Sequence, residues 1–378
     1  MLGSSIIFSV LLLFSVHCFS QQPEYLLKFI DSTTMKAGYK TLDGNIHFSA
    51  TLDEGSTMAN TFYTIVSAYE IRNDVRYHFY LLRNGTRLFE RKVKDNDFLP
   101  FCESEGKIGF YDAVKRKFGF LNSSGKVIIP AIYDGVHRFV NGVCLVDKAK
   151  ASAKRDEGEM PEAMDEFLIN EKNEVLVKDW TWEDSYLNLY SMKILDAPVD
   201  TEFWVSMQGV NGKWYCFMDY QAEFISWYFK DFVPALYGAD KGFERFVFDS
   251  LSVRKAKEEG IVSRKDFLAK YSSSALASSL DTAGGKTIAS LNSGGLLYEL
   301  KTLSQCRKFF NPCGREFEEK YPAFDLMINH FKKRTAKQSF PPPHPMPGES
   351  ADRVIDFRES FCFIRDDDGY KLISTFFK

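Results

Sequence analysis

The nearest approach to a reactive signature is Gly284-Gly285-Lys286-Thr287, which imitates the end of a phosphate-binding loop. In such a loop glycine amides cradle the phosphate and the lysine reaches its outer oxygens. The motif needs another glycine five residues ahead of Gly285. Leu280 stands there and no strongly apolar strand leads in, so nucleotide binding is rejected. Metal chemistry fares no better. His47, His78, His137, His330 and His344 have no second His or Cys at ligand spacing. The acidic cluster Glu157, Glu159, Glu162, Asp165 and Glu166 lacks the alternating spacing of a calcium loop. No G-x-S-x-G elbow marks a serine hydrolase. A Cys–His nucleophilic pair needs adjacency only in space, so spacing leaves it open. The reading therefore assigns no catalytic, cofactor-binding or metal-binding residue, and no cofactor.

Recognition chemistry is better represented. Trp180, Trp182, Trp204 and Trp214 fall at the edges of predicted hairpins, where indole rings can engage a protein or carbohydrate surface. Trp180 and Trp182 lie two apart, so in a strand both face one side. Packing into the core is the competing fate of each. Among the cysteines, Cys306 and Cys313 are the expected disulfide, with Asn311-Pro312 favouring a turn between them. Closing so short a loop stabilises by about 2–3 kcal/mol in the chain-entropy model. Cys144 and Cys362 sit among apolar neighbours, as small core residues do.

These residues are positioned by a chain that starts as an exported one does. Ile6 to Val16 is an uncharged apolar run, long enough for a signal-peptide core and well short of the ~20 residues that span a bilayer. Cys18-Phe19-Ser20 suits cleavage after Ser20, and lipidation at Cys18 is the minor alternative because bulky His17 precedes it. A periplasmic or secreted location follows as the expectation. No second apolar stretch approaches membrane length, so no transmembrane segment is expected in the mature chain. A net charge of −3 carries no footprint for nucleic acid. Aromatics reach 15%, with 35 Phe and 18 Tyr, a composition that favours sheets.

The most informative stretch begins at Lys117. Phe118-Gly119-Phe120-Leu121 reads as a strand and Ser123-Ser124-Gly125-Lys126 as a tight turn. Val127-Ile128-Ile129 returns as a second strand stopped by Pro130, and Tyr133-Asp134, Phe139 and the Asn141-Gly142 turn follow. This order resembles the tryptophan–glycine (WG) repeat family over residues 104–147. Phe118 stands where that family has tryptophan, while Gly119, Phe120, Gly125, Lys126, Pro130, Tyr133, Asp134, Phe139 and Gly142 match it. The resemblance implies a stacked β-hairpin array and a bacterial envelope context. Fainter echoes at Gly38–Gly44, Tyr77–Gly85, Phe167–Val177 and Gly212–Asp219 recur at intervals of about 40 to 50 residues. Asn84-Gly85-Thr86 and Asn122-Ser123-Ser124 fit the N-glycosylation pattern, but both fall at turns that backbone geometry already explains.

After about residue 220 the pattern becomes helical. Ile225, Tyr228, Phe229 and Phe232 share a face, Ser263 caps a second helix, and Phe324, Met327 and Phe331 form the stripe of a third over residues 321–334. Pro341-Pro342-Pro343-His344-Pro345 is loop or extended. A terminal hairpin turns at Asp366-Asp367-Asp368-Gly369. Helices followed by a final long hairpin resemble the cone-shaped NTF2-like domains, a likeness that implies a ligand pocket between sheet and helices. The expected organisation is a signal peptide at 1–20, a mainly β repeat region at 21–220, and an α+β domain at 221–378. The expected function is non-catalytic: an exported binding or scaffold protein with an unidentified protein or carbohydrate partner. A small-ligand or enzymatic pocket in the C-terminal domain is the alternative.

Overall fold

The computed structural model describes residues 25–53, 55–57, 59–93, 101–150, 164–181, 187–238, 242–255, 258–271, 286–293, 304–309, 320–333 and 353–377. The leader, the acidic insertion at 151–163, Trp182, Cys313 and the proline run lie outside them. The fold is mainly β.

Five small antiparallel sheets follow one another in chain order before residue 220, among the described residues. The first holds β1 (Leu26–Ile30), β2 (Lys36–Lys40), β3 (Ile46–Asp53) and β4 (Thr61–Phe62). The second is the meander β5 (Ile65–Arg72), β6 (Val75–Leu82) and β7 (Arg87–Lys92). The third is β8 (Lys107–Asp112), β9 (Lys117–Asn122) and β10 (Val127–Tyr133). The fourth runs β11 (Gly135–Val136), β12 (Val143–Ala149), β13 (Met164–Asn170) and β14 (Val175–Trp180). In the fifth, β17 (Trp214–Met218) lies between β15 (Asn188–Leu195) and β16 (Trp204–Gln208).

One hairpin turn recurs in every sheet. The amide of its first residue donates to the carbonyl of the fifth, and the amide of the fourth donates back to the first. Turns starting at Thr41, Leu82, Asn122, Asn170 and Gly209 all make this pair of bonds. The fourth position needs positive φ and carries Gly44, Gly85, Gly125, Asn173 and Gly212. Asn173 holds the place without glycine because asparagine tolerates the left-handed region. In two of the turns the leading asparagine also accepts local amides: Asn122 Oδ1 from Ser124 and Lys126, and Asn170 Oδ1 from Lys172 and Glu174. The faint sequence echoes are thus one turn geometry repeated.

The apolar clusters pass from sheet to sheet. Tyr39, Phe62 and Phe79 pack the first sheet on the second, and Ile65, Tyr80, Phe110 and Leu121 pack the second on the third. Phe118, Phe120, Phe139 and Ile169 join the third to the fourth, and Val143, Trp180, Tyr215 and Phe217 join the fourth to the fifth. Alternation along β9 makes this sharing work, since Phe120 and Leu121 point to opposite neighbours. No single hairpin buries its own face, as expected for stacked repeats.

Polar staples follow the same seam. The buried Glu103 carboxylate accepts the Thr64 and Ile65 amides. Glu105 accepts those of Asn141 and Gly142 at 2.6 and 2.9 Å. Asn141 Nδ2 in turn donates to Leu189 O at 3.2 Å. Tyr80 donates to Gly109 O at 3.0 Å and Tyr133 to Asn173 Oδ1 at 2.7 Å.

Beyond residue 220, α1 (Tyr220–Trp227) continues through a π-helical turn at Tyr228–Phe232 into α2 (Val233–Tyr237). Asp219 caps α1 by accepting the Ala222 amide. A six-stranded sheet follows, in the order β19 (Glu258–Ser263), β18 (Val247–Lys255), β23 (Gly369–Phe377), β22 (Arg353–Asp366), β21 (Ala323–Lys333), β20 (Lys286–Ser293). β18 runs parallel to β23, and the other pairings are antiparallel. α3 (Arg264–Lys270) starts at Ser263, whose hydroxyl accepts the Asp266 amide as expected.

Two expectations for this half are corrected. Residues 321–334 do not form a helix, because Ala323–Lys333 is a strand between β20 and β22. Phe324 and Leu326, two apart, enter the core against α1, so the working period is two and not 3.6. The buried helix face is also displaced. Phe224, Tyr228 and Phe232 are buried, whereas Ile225 and Phe229 are exposed, with the π-turn widening the spacing at this point. The terminal hairpin is present as read, with Asp366 paired to Gly369.

Candidate functional site

The four hairpin-edge tryptophans do not form one surface. Trp180 is 3% exposed and packs edge-on against Phe217 at 5.2 Å, so it belongs to the core between the fourth and fifth sheets. It leaves the expected binding surface for that reason, and Trp182 lies outside the described residues. Trp204 and Trp214 remain, and the structure brings them to one face. Direct cross-strand partners share a face, and the register sets Trp204 opposite Met218, Ser206 opposite Cys216 and Gln208 opposite Trp214. Val205, Met207, Tyr215 and Phe217 fill the other face.

This outer face is divided by a strap. Ser206 Oγ accepts the Val199 amide at 3.0 Å and donates to its carbonyl at 3.2 Å, which keeps Cys216 fully buried beneath. Half-buried Trp204 and Trp214 flank that strap. The Lys193 ammonium lies 4.2 Å over the Trp204 ring, and exposed Leu195 is opposite Trp214 on β15. The arrangement suits contact with another surface, since aromatic anchors with adjacent polar groups dominate such contacts.

Residues 118–149 match the family described as WG containing repeat. Comparison with curated proteins and with solved structures returns no match. Nothing supports the likeness to NTF2-like domains, and the third helix on which it leaned is a strand. Inside the matched segment the signature residues are occupied by the fold. Asp134, with its side chain 1% exposed, accepts Lys117 Nζ at 2.6 Å and the Ala149 amide at 2.8 Å. A Cβ on Gly119 would lie 2.4 Å from Ile129 O, so only glycine lets β10 cross so closely. Burial pushes the Asp147 carboxyl above its ordinary value, with nearby His137 opposing that shift. Burial likewise raises Glu103 against the amides and hydroxyl that hold it.

The cysteines turn out differently from expectation. Cys306 is a buried free thiol and not half of a bridge to Cys313. It packs with Phe309, Ala323 and Ile364 against the sheet. Cys102 is disulfide-bonded instead. Burial pushes Cys306 up to about 11 and Cys362 well above its usual value, which suits inert packing and not nucleophilic attack. Among the described residues no cluster of His, Cys, Asp or Glu could hold a metal.

The C-terminal sheet carries a feature the sequence reading passed over. The expected space between sheet and helices is filled by Phe224, Tyr228, Phe232, Phe246, Phe363 and Tyr370. At the rim of that core, however, a cleft of about 440 Å³ opens between α1, the segment at Arg245-Phe246 and the terminal hairpin. Trp227 lines it, half-buried, 5.0 Å from the Tyr370 ring. The fifth tryptophan had no hairpin around it, and the only available signal was its place one turn before Asp231.

Proposed function

We propose that this is an exported, non-catalytic binding or scaffold protein of the cell envelope or exterior, with the repeat array as its contact element. The observation that carries the reading is the pair Trp204 and Trp214, half-buried on the outer face of the fifth sheet beside Lys193 and Leu195. The array supplies a rigid mount, because each sheet shares its core with the next. Export is supported by the apolar leader at Ile6 to Val16. No helix among the described residues is long and apolar enough to cross a membrane. The same proposal divides the chain near residue 220 into the array and an α+β domain. It is supported by the change from clusters shared between small sheets to one large core that starts at Phe224.

The test is a pull-down with the full chain against solubilised envelope and secreted material, beside a Trp204→Ala/Trp214→Ala variant whose fold is checked by circular dichroism. A discrete protein or polysaccharide retained by the wild type and lost by the variant is expected. Equal retention by both removes the tryptophan face from the function, and no retained partner removes the contact role itself.

A further inference from the structure

We infer that the rim cleft of the C-terminal sheet is a binding site for a neutral carbohydrate, with Trp227 as its platform. This goes beyond the contact role of the array and uses different residues. The cleft, about 440 Å³, is large enough for a sugar ring or two and lies within the range of small-ligand sites. Its lining charges balance in number: Glu223, Asp231 and Asp368 against Arg245, Arg365 and Lys371. A strongly anionic or cationic ligand would gain nothing over its opposite there. A neutral ligand that offers both donors and acceptors around a flat apolar face meets all of the groups present.

The internal pairing narrows the choice further. Arg365 Nε donates to Glu223 Oε2 at 2.8 Å, and Tyr370 donates to the same oxygen at 2.8 Å. Lys371 Nζ donates to Arg245 O at 2.7 Å. These contacts lock the wall of the cleft and hold Tyr370 with its ring 5.0 Å from that of Trp227. Asp231 and Asp368, both exposed, stand at the rim where ring hydroxyls would arrive. A zwitterionic amino acid needs a desolvated partner for each charge, yet the half-buried pair is already satisfied within the protein. Sugar hydroxyls require no such partner. They exchange water for charge-assisted hydrogen bonds at the rim while the apolar face of the ring covers the indole.

Isothermal titration and tryptophan fluorescence on the full chain would use cellotetraose, maltotetraose, chitotetraose and mannotetraose, with acidic galacturonate oligomers and free amino acids for comparison. One of the four neutral oligosaccharides should bind, and Asp231→Ala/Asp368→Ala should weaken it about tenfold, as loss of hydrogen bonds to charged groups does. Trp227→Phe, which keeps an aromatic ring in the core, should weaken it as well. Trp204→Ala/Trp214→Ala should leave it unchanged, so failure here and failure of the array's contact role are read separately. The inference is overturned if none of the four binds, if acidic oligomers or amino acids bind in preference, or if the rim and Trp227 variants bind as the wild type does.

Discussion

At the scale of single residues, the polar positions of the small sheets are busy holding strands together. Lys117 and Asp134 show the cost of undoing that. Asp134 is almost wholly enclosed, and Lys117 is its counter-charge from the neighbouring strand. Lys117→Met leaves the carboxylate in place without that charge and should cost about 3 kcal/mol, read as a lower urea midpoint with unchanged slope. Glu103 makes a pH-dependent contribution of definite sign. Its folded value is raised by burial, so the folded state holds the proton more tightly than the unfolded chain does. The stability it adds is full below the ordinary carboxylate range and is lost as pH rises through its elevated folded value. Denaturation midpoints across that window should therefore show a downward component that is missing in Glu103→Gln.

At the scale of elements, the turn and the close strand crossing make separable demands on glycine. A Cβ on Gly44 meets nothing within 4 Å, but its φ is +94°, so Gly44→Ala should cost only the left-handed penalty of about 1–2 kcal/mol. Gly119→Ala has an ordinary φ but drives a methyl group into the backbone of β10. A loss of about 2–3 kcal/mol by overpacking is expected, with disturbed amide shifts along Ile129 to Ala131. The same level explains what could be read in advance. The hairpin turns were legible because turn chemistry is local: Asn-Ser-Ser-Gly-Lys and Asn-Gly need no distant partner. The α3 start was legible for the same reason, through Ser263. The stripe Phe324, Met327, Phe331 misled because a short apolar run fits both periods, and its partners in β20 and β22 decided the matter from about 30 residues away on either side. The parallel pairing of β18 with β23 joins segments still further apart, and no local pattern marks it. The cleft escaped notice because its walls come from α1, from Arg245-Phe246 and from the last hairpin, three places that only the fold brings together.

At the scale of the whole molecule, stability in the first half should behave as a sum over neighbours and not as one core. Glu105 is the clearest test, since it ties the turn of the third sheet to the Asn141-Gly142 turn of the fourth. Glu105→Ala leaves these two exposed amides to water and should cost about 0.5–1.5 kcal/mol. Native-state hydrogen exchange should speed up in residues 139–146 and hardly change in β22 and β23, whose cluster shares no residue with that seam. Uniform acceleration over both halves would show a single cooperative unit and refute the neighbour-by-neighbour description.

The shared cores also bear on how such a chain changes over generations. A sheet that packs only on the one before and the one after can be duplicated or deleted at the cost of repacking a single junction. The unit of inheritance in this half is then a segment of roughly 40 residues, and a point substitution at Phe118 is judged by the third and fourth sheets alone. The C-terminal sheet has no such freedom. Its first and last strands lie side by side, so descendants of this chain are expected to differ in the number of small sheets while keeping the six-stranded one entire.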